Sequence, residues 1–559
     1  MKNLKHIYYR IVIFLPILLL FGCSKDFLNR PPKDAIVDAG FYSTDNEVLA
    51  STALLYNKVW FDYNDKASYN LGDFRSGTAF SAYNDRGNVL FNTTAENGEN
   101  SASWRAFFIV VGQSNLAIHN INTYAGSGVS LKIKNHAIAE ARFMRALAYR
   151  FLVMNWGDVP IIENNLTLLS DTTIQRNTAK SVWKFVTSEM RAAANDLPET
   201  PVAAGRLSKW SAEGMLARFY LTRAGVEAVG GVRNQNFLDS ARYYADRVIK
   251  LSGASLLKDY AKLFQFPYDN NSESLFELQW IFLPDVWGTQ NSSQAYLAYS
   301  ADISEGDGWG GDKSATWWMM QQYDGFVATG DTMLKGRTLD QRLKATFMLP
   351  GAYYPEITQT LNGVDQKLIF PTNTGDVSFT SIKKYVTGKA KDVGGQASSQ
   401  RYGHDTYMLR LAEMYLIYAE AVLGNGTSTT DATALEYFNK IHTRAGLAPL
   451  LDLLTTDILF KERILEFAME GMGWYDLVSL HYYNPAKAYS ILNSQDRGLF
   501  AVKPDVFPNP TEWTFKKTAW NTIDRMINAY DGNFLLPIPA AEMSQAPNLR
   551  KPAIDYFNK

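Results

Sequence analysis

Apolar residues recur at helical spacing through most of the long hydrophobic stretches of this chain. Between Ala139 and Met154, residues Phe143, Met144, Leu147, Ala148, Phe151 and Leu152 fall at i, i+1, i+4, i+5, i+8 and i+9, which lines them up on one stripe of a helix. The same reading predicts helices over Ser181–Asp196, Leu207–Arg223, Leu238–Leu251, Met408–Leu423, Ala432–Ala445 and Ile458–Glu470. Glycines punctuate the pairs, with Gly230 and Gly231 between two of these helices and Gly424, Asn425 and Gly426 between two others.

Small residues stand where paired helices must approach closely, at Ala241, Ala245, Ala412 and Ala419. Together with an Ala434-x-x-x-Phe438 step, they look like tetratricopeptide units with irregular spacing. The pattern predicts a mainly α fold, a tetratricopeptide-like scaffold of helical pairs at about 137–251 and 408–480. Between these blocks, about 252–407 is rich in Gly, Pro, Tyr and Trp, with short strand-like runs such as Ser274–Phe282. It reads as a large, irregular, loop-rich insertion, and 37–559 as a single body.

The N-terminus follows a different rule. Lys2, Lys5 and Arg10 precede an apolar run from Ile11 to Phe21, interrupted by Pro16. Such a run reaches only about 16 Å as a helix, against a bilayer core of roughly 30 Å, so 1–22 reads as a signal peptide. Leu20, Phe21, Gly22 and Cys23 resemble the bacterial lipobox, which makes Cys23 the lipidation site and 23–36 a lipidated tether containing Pro31 and Pro32.

Composition narrows the function. Fifty-five Lys and Arg against 56 Asp and Glu in 559 residues leave no basic block for a nucleic-acid partner. A single cysteine excludes an internal disulfide and a cysteine-built zinc site.

Ordered motifs across the chain carry a family resemblance. The run Ala139-Glu140-Ala141-Arg142-Phe143-Met144-Arg145-Ala146 leads to Trp156-Gly157-Asp158-Val159-Pro160. Further on come Gly205-Arg206-Leu207-Ser208-Lys209-Trp210, Arg410-Leu411-Ala412-Glu413-Met414-Tyr415-Leu416, Arg444-Ala445-Gly446-Leu447, Glu470-Gly471 and Leu536-Pro537-Ile538-Pro539. Taken together these resemble the SusD/RagB family of outer-membrane nutrient-binding lipoproteins over nearly the whole mature chain. Met472 and Gly473 depart from the family pattern, as does Leu549-Arg550-Lys551-Pro552. Arg142, Arg218, Arg410, Glu413 and Glu420 lie on apolar-striped helices, where they are expected to link neighbouring helices.

Catalytic signatures are sparse. His119, His136, His404, His442 and His481 form no close ligand pair and read as surface or helix-face residues. Gly306-Asp307-Gly308-Trp309-Gly310-Gly311 satisfies a dinucleotide-binding pattern in letters, but no strand precedes it. Asp302, Glu305, Asp307 and Asp312 lack the spacing of a calcium loop and read as a solvated acidic loop. The chain requires no metal and no cofactor, and it reads as a binding protein.

Aromatic residues in polar loops supply the candidate binding surface. Sugar rings pack C–H groups on aromatic faces, while their hydroxyls need directional polar partners. Asp73, Arg75, Tyr83, Asn84 and Asp85 combine both within thirteen residues, and Trp287, Tyr296, Trp309 and Trp317 add aromatic faces. Trp317 and Trp318 would point about 100° apart on a helix, so at least one is expected in the core. The resemblance places ligand contacts in these two regions. It implies a cell-surface, outer-membrane lipoprotein that captures oligosaccharides and acts as a lid for a SusC-like TonB-dependent transporter. A peptide-binding lid of the same family and a surface glycosidase stand as alternatives.

Overall fold

The computed structural model describes residues 41–81, 86–165, 168, 173–371, 380–518 and 526–558. Cys23, the signal segment and the tether lie outside the described residues. Helices α1 (Gly98–Tyr124), α2 (Leu131–Trp156), α3 (Ala179–Asp196), α4 (Lys209–Val226) and α5 (Gln235–Leu251) form the first helical block. Each starts on a short polar side chain that accepts an otherwise orphaned amide: Asn97, Ser130, Thr178, Ser208 and Asn234. The second block holds α6 (Leu411–Leu423), α7 (Ala432–Arg444), α8 (Thr456–Phe467) and α9 (Gly473–His481).

From α1 to α7 each helix packs on the next in sequence. That includes α5 on α6, although about 160 residues of chain separate them. This is a tetratricopeptide-like stack, as the periodicity predicts. Charged residues tie it together. Arg218 on α4 grips Glu413 on α6 with two guanidinium nitrogens, and Arg233 donates to Glu420 at 2.9 Å. At helix ends the positive φ of Gly157 (69°) and Gly424 (54°) supports the sharp exits expected of glycine.

The insertion leaves the stack through a two-stranded gate. Ser274–Leu278 pairs antiparallel with Thr406–Arg410, so Met408 lies in a strand and α6 begins only at Leu411. Within the insertion the chain is more ordered than its composition suggests. Tyr353–Leu361 and Val364–Ile369 form a hairpin, and Phe326–Ala328 and Met333–Gly336 join Phe500–Pro504 and Trp513–Lys517 in one four-stranded sheet. A second hydrophobic core forms here, shared by Phe74 and Phe80 from before the stack, Trp317, Met320 and Phe347 from the insertion, and Phe500 and Phe515 from after it.

Helix α1 is absent from the sequence prediction because Gly112, Gln113, Ser114 and Asn115 interrupt its apolar stripe. Two of those polar residues are buried all the same. Asn115 donates to the Ile162 carbonyl at 2.8 Å and accepts from Arg145 at 2.7 Å, which satisfies its amide away from water. Among the described residues no helix is long and apolar enough to cross a membrane.

Candidate functional site

A cleft of about 420 Å³ opens on the insertion side, and three of the predicted aromatic residues line it: Trp287, Tyr296 and Trp309. The local chain explains why these rings face outward. Trp309 stands between Gly308, at φ 121°, and Gly310. A β-carbon at Gly308 would lie 2.5 Å from the Ser300 carbonyl carbon, so only glycine lets the loop press on Ser293–Leu297 and the residues that follow. The Trp309 and Gly310 amides each donate at 2.8 Å to that segment, to the carbonyls of Ala295 and Ala298. With its backbone held this way, the indole remains 57% exposed.

Trp287 is 48% exposed. Its ring packs at 66° to Phe61, 5.5 Å away, and the Arg401 guanidinium sits 5.3 Å from its centroid. Tyr296 is half-buried and stacks on Tyr69, with Lys313 Nζ 3.9 Å above its ring.

Charged and amide groups complete the cleft. Asp65 and Lys66 come from the π-helical turn Tyr63–Ala67. Asp65 accepts from Ser292 at 2.6 Å, and burial pushes its carboxyl above the usual range. Asp312 accepts from Ser81 at 3.0 Å and from Lys313 at 2.8 Å. Gln400 is pinned through its backbone, which donates to Asp307 at 2.5 Å. The arrangement offers apolar ring faces beside carboxylates, ammonium groups and an amide, a donor and acceptor mixture suited to a polyhydroxylated ligand.

Three predicted contacts lie elsewhere. Asp73 is fully buried: its carboxylate accepts from the amides of Met469 at 2.8 Å and Gly471 at 2.9 Å, and burial pushes its pKa up to about 7. Arg75 is 2% exposed, stacked between Phe91 and Trp474, and burial pulls it down to about 9. Both residues lock the turn before the stack onto the segment after α8, which corrects their reading as ligand contacts. Trp317 is 2% exposed and packs on Phe500 in the second core. Its neighbour Trp318 is buried as well, so both indoles of the pair are core. Tyr83, Asn84 and Asp85 lie outside the described residues.

The acidic loop is not solvated as expected. Asp307 is buried and accepts from the Tyr402 hydroxyl at 2.9 Å, while Glu305 accepts from the Ala390 amide at 2.7 Å. These carboxylates serve different partners and fasten the loop that carries Trp309.

Comparison with known proteins agrees with this architecture. Residues 272–554 match the SusD family model, and residues 44–221 match a family described as starch-binding and associating with the outer membrane. The chain is 34% identical to a SusD-like protein of Bacteroides ovatus over 98% of both chains. This chain belongs to the SusD family. It superimposes with a TM-score of 0.81 on a crystal structure 32% identical to it, covering 93% of this chain and 100% of the other. A second structure, 31% identical and solved with a xylogluco-oligosaccharide, superimposes with a TM-score of 0.79 and coverages of 92% and 100%.

This SusD-family chain also gathers carboxylates that sequence reading passed over. Asp269, Glu277 and Asp405 each bring an oxygen within 4.8 Å of the others, and they are the described residues best placed to hold a hard cation. Burial raises Glu277 to about 7 and Asp405 well above its usual range. Burial opposes a charge on His404, but Asp269, 2.6 Å from its Nδ1, outweighs it and raises the imidazole pKa. His404, expected at a surface or helix face, is instead buried beside Asp269. Lys66, Lys313 and Gln400 were also missed in the cleft. Lys313, four residues beyond Trp309, lay near enough in sequence to a predicted aromatic to be suspected.

Proposed function

We propose that this protein captures oligosaccharides at the cleft formed by Trp287, Tyr296 and Trp309. The observation that carries the reading is the exposure of two indoles on the rim of one cavity, next to Asp65, Lys66, Asp312 and Lys313. Folding alone does not require large rings to stay in water there, whereas C–H groups of a sugar ring cover such faces well. Solution of a 31% identical relative with a xylogluco-oligosaccharide supports a glycan as the ligand class.

In this reading the protein is a binding protein and not an enzyme. Cys23 is lipidated after removal of 1–22 and anchors it to the outer membrane, at the cell surface. There it works as the lid of a SusC-like TonB-dependent transporter, delivering the captured glycan by non-covalent hand-over. Anchoring at the mouth of the pore raises the effective ligand concentration for import.

A calorimetric panel tests this. Protein lacking the first 23 residues is titrated with xyloglucan, mixed-linkage, starch and laminarin oligosaccharides and with mixed peptides, and the products are analysed afterwards. Binding of one glycan class without cleavage supports the reading. Peptide binding alone, or release of shortened glycans, overturns it.

A further inference from the structure

A second cavity, of about 620 Å³, lies inside the helical stack and shares no residue with the aromatic cleft. Its volume falls in the range of roughly 300–1,000 Å³ typical of small-molecule sites. Residues from α2, α4, α6, α8 and α9 line it, together with exposed Asp457 and half-buried Lys487.

At its deep end three arginines meet, and they are not equally matched. Arg218 is held by Glu413, and Arg463 donates to Asp476 at 2.9 and 2.7 Å. Arg150, 2% exposed, makes no ion pair among the described residues. Its Nε and Nη1 are buried without a hydrogen-bond partner, as is Nη1 of Arg463. The guanidinium of Arg150 rests on the Tyr475 ring at 4.2 Å, which compensates its face but leaves its N–H edge unanswered. Burial and the charge of Arg218 pull its pKa down to about 10, so it remains a cation at neutral pH. A buried charge with an unpaired edge calls for an anion.

The rest of the lining limits which anion. Five cationic side chains face four carboxylates, an excess of one positive charge that fits a monoanion better than a phosphate dianion. Leu221, Ile417 and Leu459 supply apolar wall, which an inorganic ion would leave uncovered. We propose that this cavity binds a small organic monocarboxylate, its oxygens meeting the unpartnered N–H groups of Arg150 and Arg463 and its hydrocarbon part lying against Leu221, Ile417 and Leu459.

Hexanoate, benzoate, sulfate and neutral hexanol, each titrated into the protein in a calorimeter, test the site. Hexanoate or benzoate is expected to bind with Kd of about 1 mM or tighter, with sulfate and hexanol at least tenfold weaker. Arg150→Met is expected to weaken carboxylate binding tenfold or more. Leu221→Trp, which narrows the cavity while keeping all three arginines, should do the same, and it carries the test if Arg150→Met fails to fold by circular dichroism. Carboxylate binding unchanged in the folded variants would overturn the proposal. So would equal binding of sulfate, or no binding of either carboxylate up to about 50 mM.

Discussion

Gly310 sits so close to Leu297 that a β-carbon added to it would lie 2.0 Å from the Leu297 carbonyl oxygen. This contact fastens the loop bearing Trp309, since the Gly310 amide itself donates to Ala298 at 2.8 Å. Gly310→Ala must therefore push the loop outward. Overpacking of this kind costs about 1–3 kcal/mol, to be read from urea unfolding, and glycan affinity should fall because the indole moves with its backbone. A variant as stable as the wild type, with unchanged affinity, would show that the seam does not position Trp309.

Trp317 gives the opposite expectation. Its indole is core, so Trp317→Ala should destabilise the fold by about 3–5 kcal/mol while leaving glycan affinity per folded molecule unchanged. Denaturation together with calorimetry separates the two effects. Weaker binding by fully folded protein would return Trp317 to the ligand surface.

The contrast between these two tryptophans shows what could be read in advance. Helices of the stack were legible because Phe143, Leu147 and Phe151 repeat at the helical period and Gly230 and Gly424 mark the turns. Burial inside unpatterned segments was not. Asp73 and Arg75 resemble loop residues in sequence, and only their partners on the far side of the stack, Met469, Gly471 and Trp474, reveal them as buried. A local signal did exist at Trp317. Thr316 caps the short helix that follows by accepting from the Met319 amide at 3.1 Å, and a capped Trp-Trp-Met-Met run is apolar enough to be core. Trp287 and Trp309 were legible because Gly288, Gly308 and Gly310 keep them in loops. Lys66 was not, since its place depends on a π-helical turn.

Between the helical blocks, the Arg218 and Glu413 pair is almost wholly buried. Glu413→Gln leaves a buried guanidinium without its counter-charge, which should cost about 3–5 kcal/mol. Urea unfolding of Glu413→Gln, set against an exposed control such as Glu436→Gln, measures this.

Acid stability should report the cluster around Glu466. Burial works against the Glu466 carboxylate, yet Arg444, Arg410 and Arg342 overcome it and hold its pKa down at about 2. In the unfolded chain the group titrates near about 4.3, so below that pH the unfolded state binds the extra proton. Its contribution is therefore complete above about pH 4.5 and is lost as pH falls toward 2. Glu466→Gln should be less stable than wild type at neutral pH and should lose less stability between about pH 5 and 3. Parallel pH slopes for the two proteins would contradict the assignment.

Calorimetric titration of Trp287→Ala and Trp309→Ala with an oligosaccharide bound by the wild type probes glycan capture at the aromatic cleft. Losing the contact of one buried aromatic face removes about 1.5–3 kcal/mol, so each variant should bind roughly tenfold or more weakly, and the double variant not measurably. Unfolding midpoints should stay close to wild type, because both indoles are solvent-exposed in the free protein. Wild-type affinity in the folded double variant would place the glycan elsewhere and contradict the account.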